Sequence, residues 1–242
     1  MPSADLHFYF DPICPFAWMT STWVRQVMAA RDYKVEWRFI SLRLVNADVD
    51  YDAHFPANYE FTHTLGLKLL RVAAKARDEF GGGAVDALQR SFGEHIFEVP
   101  PWESEAHRQA ALASPEYLAR ILAHAELPGH LAAAFDDAAW DGVVQEESDE
   151  ALTLTGKDVG TPILHVDPPD GVAFFGPVIS RRPSDADAVQ LWDHVLGLAR
   201  YPGFSELKRS LRERLQLPVF GVGAGEVGLQ EDWHQSSRRL KK

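Results

Sequence analysis

The chain opens with a dense aromatic and aliphatic run, LHFYF at 6–10, whose composition is that of a short strand. From 15 onward the apolar positions change rhythm. Trp18, Trp23, Val24, Val27 and Met28 fall near helical spacing and predict an amphipathic helix. Pro15 suits the first position of that helix, where its missing N–H would have been unpaired anyway. Cys14 therefore falls at or beside the N-cap. The segment 35–42, VEWRFISL, alternates well enough to be a second strand. If both strands join one sheet, the right-handed crossover rule makes them parallel.

From about 55 to 156 the strand patterns vanish. The stretch 65–80 is rich in Leu, Ala, Lys and Arg and stops at Gly81-Gly82-Gly83. A second helical pattern covers 84–97. Ser114 and Pro115 start a third, which ends near Pro128, and 129–155 fits one or two more. A block of roughly a hundred residues is too long for a connection and long enough for its own core. Strand character returns over 160–166, followed by a turn at 167–171 and a hairpin partner, VAFF, at 172–175. Val189, Leu191, Trp192, Val195, Leu196 and Leu198 then mark a helix over 186–199. A further helix is predicted over 205–215, and the Gly-rich, then basic, tail is expected to be mobile. The order defines an α/β, thioredoxin-like fold, β-α-β then β-β-α, with an inserted all-helical domain. Its parts would be 1–54 with 157–204, 55–156 as the insertion, and 205–242 as a C-terminal appendage.

Composition narrows the function. With 46% hydrophobic and 24% charged residues, the chain has the make-up of a soluble globular protein. A formal net charge of −11 repels phosphate backbones, so no nucleic-acid partner is expected. No apolar run approaches the roughly 18 residues of a membrane span, and MPSADLHFYFDP lacks a basic start and an apolar signal core. The expectation is a cytoplasmic protein without a membrane partner. A single cysteine excludes an intramolecular disulfide, and a lone thiol persists in a reducing compartment.

Some motifs carry little. Gly223-Ala224-Gly225-Glu226-Val227-Gly228 matches GxGxxG, but too little chain follows for a nucleotide-binding unit, so a flexible linker is the better reading. The ten histidines show no HxxxH or HExxH spacing, and no metal is expected. Asp48-Val49-Asp50-Tyr51-Asp52 lacks the glycine and distal Glu of a calcium loop. Trp18, Trp23 and Trp37 read as core.

The candidate chemistry lies at Cys14. A helix N-terminus points unpaired N–H groups and a positive dipole end at the sulfur, which lowers a thiol pKa and favours the reactive thiolate. Asp11, three residues upstream, would oppose that shift if it came close. The plain alternative is a small buried hydrophobe. The second element is Val159-Gly160-Thr161-Pro162. Read from the residues alone, Pro162 can start an edge strand in trans. In the thioredoxin-like fold a proline after such a Thr is cis and faces the active-site cysteine. Phe16, beside the nucleophile, is either core or an apolar platform for a flat substrate.

These motifs resemble the DsbA family, and more closely its actinobacterial branch of mycothiol-dependent nitroreductases. The likeness runs through Phe8-Tyr9-Phe10-Asp11-Pro12-Ile13-Cys14-Pro15, Ser41-Leu42 with Asn46, and Asp158-Val159-Gly160-Thr161-Pro162. It continues through Gly171-Val172-Ala173-Phe174-Phe175-Gly176-Pro177-Val178, Leu191-Trp192-Asp193 and the Tyr201-Pro202 region, over about the first 210 residues. The resemblance implies an oxidoreductase with Cys14 as nucleophile and Pro162 as cis-proline. Pro15, Phe16, Ala17, Asn46, Gly160 and Thr161 would contact the co-substrate, a low-molecular-weight thiol such as mycothiol. The other partner would be a small disulfide or electrophilic substrate, and a homodimer is compatible with this reading. Neither metal nor nucleotide is implied.

One departure matters. Relatives in this branch carry Cys-Pro-Trp-Cys, whereas this chain reads Cys14-Pro15-Phe16-Ala17. It cannot close a CxxC disulfide, and a mixed disulfide at Cys14 needs a second external thiol to resolve it. Pro15-Phe16-Ala17-Trp18 also resembles the 2-hydroxychromene-2-carboxylate isomerases and kappa-class glutathione transferases. Those have Ser before the proline, and a bound thiol cofactor does the chemistry. A redox-inactive binding module is the third reading.

Overall fold

The computed structural model describes residues 4–156, 159–222 and 227–232. Asp158, most of the GxGxxG match and the tail from 233 onward lie outside the described residues.

Strand β1 (Leu6–Phe10) forms the centre of the main sheet. It pairs in parallel with β2 (Val35–Phe39), from Leu6 opposite Val35 to Phe10 opposite Phe39. On its other side it runs antiparallel to β3 (Ile163–Val166), with Tyr9 opposite Ile163, and β3 pairs antiparallel with β4 (Val172–Phe175). The sheet order is β2-β1-β3-β4. The period-two pattern of β1 splits its side chains between two cores. Leu6, Phe8 and Phe10 join the main core with Trp37 and Phe39, while Tyr9 packs with Ile40, Ala151 and Ile163.

Helix α1 (Pro15–Ala30) covers one face and is held by α9 (Asp185–Ala199). Trp23 Nε1 donates to the Ala188 carbonyl at 2.8 Å, and its ring meets that of Trp192 edge-on. Both indoles are fully buried. On β2, the Phe39 N–H donates to Glu147 at 2.7 Å and the Ser41 N–H to Ser148 Oγ at 3.0 Å. Both acceptors belong to α8 (Asp141–Thr155), whose Ala151 reaches Tyr9. The predicted second strand therefore stops at Phe39, and Ser41 caps α2 (Leu42–Val45) instead.

Between β2 and β3 the chain is helical, as its composition predicts. After α3 (Tyr51–His54) comes α4 (Tyr59–Phe80), which starts earlier than the Leu-rich stretch suggests. It ends at Gly81, whose φ of +80° lets the chain turn directly into α5 (Gly82–Phe97). Helix α6 (Glu105–Leu112) is not marked in the sequence reading. Helix α7 (Pro115–His124) has the predicted Ser114 cap, with Ser114 Oγ accepting from the Tyr117 N–H. The stretch 129–155 holds two short 3₁₀ turns and α8.

The helix predicted over 205–215 does not form. That stretch is extended, and β5 (Leu211–Glu213) pairs antiparallel with β6 (Gln230–Asp232). Leu207, Leu211 and Leu215 suggest a helical stripe, but Leu207 and Leu211 are exposed. Leu215 and Leu217 are buried, two residues apart, as in a strand. Gln216 N–H donates to the Ser180 carbonyl at 2.8 Å and ties the segment back to the body. Among the described residues no helix is long and apolar enough to cross a membrane, and no cluster suits a metal ion.

Candidate active site

The end of β1 and the start of β3 are neighbours because Tyr9 faces Ile163 across the sheet. Whatever follows Phe10 must then meet whatever precedes Ile163. Those segments are Asp11-Pro12-Ile13-Cys14 and Gly160-Thr161-Pro162. Cys14 is the N-cap of α1, with extended backbone, and Pro15 occupies the first turn. Its Sγ accepts from the Ala17 N–H at 3.4 Å, doing for the helix what a serine oxygen usually does. The thiol donates to the Thr161 carbonyl at 3.5 Å, across a separation of 147 residues. The Thr161–Pro162 peptide is cis.

The site is closed. Cys14 is 7% exposed and Ala17 1%. Burial pushes the Cys14 thiol up from its ordinary value, and the nearby Asp11 charge adds to that; the Ala17 N–H works the other way. The expected lowering by the helix start is thus reversed. Removing a thiolate from water outweighs the field of one helical turn. The resting group is a protonated thiol.

Asp11 lies beneath the loop, 1% exposed. Burial pushes its carboxyl up to about 7, despite N–H groups of Leu42 and Ile13 that favour the charge. Trp18 is locked behind the site, its indole N–H on Glu98 at 2.8 Å. Two helix glycines permit this packing. A Cβ on Gly66 would fall 2.3 Å from Asp11 Oδ1, and one on Gly93 would fall 1.9 Å from the Trp18 ring. Gly66 and Gly93 escaped the sequence reading. An isolated glycine inside a helical pattern is the signal that marks such close approach.

The other predicted residues are placed unequally. Pro15, Ala17 and Thr161 adjoin the sulfur. Phe16 is half-buried and packs against the main core. Gly160 lies beside the ring of Phe175. Asn46 ends α2, where its Nδ2 donates to the Leu42 carbonyl at 2.7 Å, so its side chain serves its own helix. A small cavity lies between Asp11, Ala17, Trp18, Gln89 and Gly93.

A thioredoxin-like sheet, a helical insertion and a cysteine capping the first helix opposite a Thr-Pro strand start together define a DsbA-like protein. The solved structure of a probable DsbA oxidoreductase, SCO1869 from Streptomyces coelicolor, has the same fold. Its TM-score is 0.51 at 16% identity, over 88% of this chain and 97% of that one. The oxidoreductase DsbA of Xylella fastidiosa aligns with a TM-score of 0.45 at 16% identity, over 81% and 86% of the two chains. The uncharacterized protein Rv2286c of Mycobacterium tuberculosis is 29% identical over 202 residues, which cover 84% of this chain and 80% of that protein. Residues 13–209 match the Rv2466c-like family, described as mycothiol-dependent nitroreductase Rv2466c. The chain belongs to that family.

Proposed function

We propose that the chain is a single-cysteine, thiol-dependent oxidoreductase. Cys14 exchanges with a low-molecular-weight thiol, mycothiol or a close analogue, and passes reducing equivalents to a small disulfide or an electrophilic aromatic. With a disulfide, the Cys14 thiolate attacks one sulfur, forms a mixed disulfide and expels the other sulfur as a thiolate. One external thiol then attacks the mixed disulfide and frees Cys14. A second external thiol resolves the resulting small disulfide, so two thiols are oxidised for each disulfide reduced. Ala17 cannot perform the second step, because it carries no sulfur.

One observation carries this reading: the only sulfhydryl of the chain meets the Thr161 carbonyl, beside Pro162, at a helix start. In the proposal, Thr161 and Pro162 offer backbone to the incoming thiol, and Pro15, Phe16, Ala17 and Gly160 flank it. Asn46 contributes through the position of α2. The small-molecule partners suit a reducing compartment such as the cytoplasm.

Native chain incubated with an oxidised low-molecular-weight thiol, then weighed intact, should gain one adduct on Cys14. Absence of any adduct over a broad pH range would falsify the exchange mechanism. The protonated state of Cys14 favours a second reading. There the group acts like the serine of the isomerase and kappa-class transferase relatives, hydrogen-bonding a thiol cofactor that does the chemistry. Cys14→Ser then retains much of the activity, whereas exchange chemistry is abolished by it.

A further inference from the structure

The exchange reading leaves one buried acid unused. Asp11 Oδ1 accepts from the Ile13 N–H at 3.1 Å, and Oδ2 accepts from the Leu42 N–H at 2.7 Å. Its backbone carbonyl takes the Cys14 N–H at 3.0 Å. One carboxylate thus bridges the nucleophile loop and the first turn of α2. Helix α4 closes over it, since Gly66 leaves room only for hydrogen above Oδ1. The remaining side faces the small cavity, with Ala17, Trp18, Gln89 and Gly93.

No cation balances this charge among the groups that bear on it; burial and the two N–H groups govern it. From α1 the titratable neighbour is Cys14, whose ionisation the Asp11 charge opposes. From α3 it is Tyr51, which also feels that charge. The Tyr51 hydroxyl meets His63 of α4 at 2.9 Å, and Arg43 of α2 lies over the Tyr51 ring at 5.3 Å. From α5 the facing polar group is Gln89, engaged with Ser21 and, with Arg25, by its own side-chain bonds.

We propose that Asp11 is a positioning residue whose carboxylate latches the nucleophile loop to α2 and whose proton sets how readily Cys14 ionises. This inference rests on the reading of Cys14 as the exchanging thiol. With Asp11 protonated, the sulfur can take up negative charge without a buried like charge beside it. With Asp11 ionised, the same step works against Coulomb repulsion in a dry site. The two groups titrate as a pair, so the thiolate population rises less steeply with pH than that of an isolated thiol. Asp11 changes charge near neutrality, because burial holds it at about 7. Exchange would therefore speed up less steeply through neutrality than that of a lone cysteine.

The test is the rate of Cys14 alkylation by iodoacetamide in the native full chain, followed by intact mass from about pH 5.5 to about pH 10. The parent chain should give a shallow, two-step profile. Asp11→Asn should give a single step and a rate at pH 8 about three- to tenfold higher, the effect of roughly half to one pKa unit. Superposable profiles overturn the proposal while leaving the exchange reading intact. If native Cys14 resists alkylation at every pH but reacts once unfolded, the exchange reading falls and the proposal with it. Should Asp11→Asn fail to fold, the Ile13 and Leu42 amide resonances of the parent chain decide. Both should titrate together near pH 7, and their failure to move between about pH 5 and about pH 9 overturns the proposal.

Discussion

The Ala17 N–H and the first turn of α1 draw negative charge toward the Cys14 sulfur, and burial works against them. Which influence wins depends on how much of the helical block lies over the sulfur, and that is not a property of neighbouring residues in sequence. The meeting of Cys14 with Thr161 and Pro162 was legible, because a cysteine before a helix and a proline before a strand converge once the strand order is known. The raised pKa was not legible, since burial comes from distant helices. Asn46 shows the same limit: its type and position suggest a pocket, but its amide satisfies the Leu42 carbonyl. Ala17 offers a direct experiment at this scale. It stands three residues beyond Cys14, whose Sγ already meets the Ala17 N–H at 3.4 Å, and it borders a small cavity. Ala17→Cys should close an intramolecular disulfide under mild oxidation. Thiol titration of the native variant should then fall from two sulfhydryls to none, and two persisting free thiols would contradict the geometry.

Elements are legible in the sequence where local pattern and tertiary demand agree. The Ser114-Pro115 start of α7 carries both its cap and its first-turn proline in two adjacent residues. Strand β1 alternates between two cores and has no other use for its aromatics. The segment 205–215 forms no helix, because a stripe of leucines makes a helix only if some surface receives the stripe. Here the body takes Leu215 and Leu217 and leaves Leu207 and Leu211 in solvent. Between elements, the contact of α5 with α1 is set by Gly93, which lies against the Trp18 ring. Gly93→Ala forces that indole or the helix to move. Overpacking of this kind costs about 1–3 kcal/mol, readable as a lower urea midpoint. A shifted Trp18 would also lose its bond to Glu98 and alter tryptophan fluorescence, whereas an unchanged midpoint and spectrum would mean that the two helices part without resistance.

For the whole molecule, two buried features, one in β1 and β3 and one just past the end of β1, respond to pH in opposite directions. His7 and His165 face each other across β1 and β3 with ring centroids 5.7 Å apart. Burial, first among several causes, holds both below the ordinary histidine value. Their contribution to stability is therefore complete above about pH 6.5 and is lost as pH falls through their folded values. Asp11 has the reverse sign. Its folded value of about 7 lies above the unfolded one, so its contribution is full only below about pH 4 and is lost as pH rises from there through its folded value. Urea unfolding at several pH values should show Asp11→Asn gaining on the parent as pH rises from about 4 to about 7, by up to roughly 1.4 kcal/mol per pH unit, and levelling off above that. His165→Phe should gain on the parent as pH falls below about 6.5, because burial resists protonation of the imidazole in the folded chain but not in the unfolded one. Parallel pH curves for parent and variants would remove both groups from the account of stability.

The 147-residue gap between Cys14 and Thr161 also bears on how the chain is made. Synthesis delivers the sulfur early and its cover late. While the helices and β3 are still being translated, the nascent thiol is exposed to every oxidant and electrophile in its surroundings. Any guarded reactivity at Cys14 belongs to the finished product, and slow translation in an oxidising setting should yield molecules already modified at that atom before they fold.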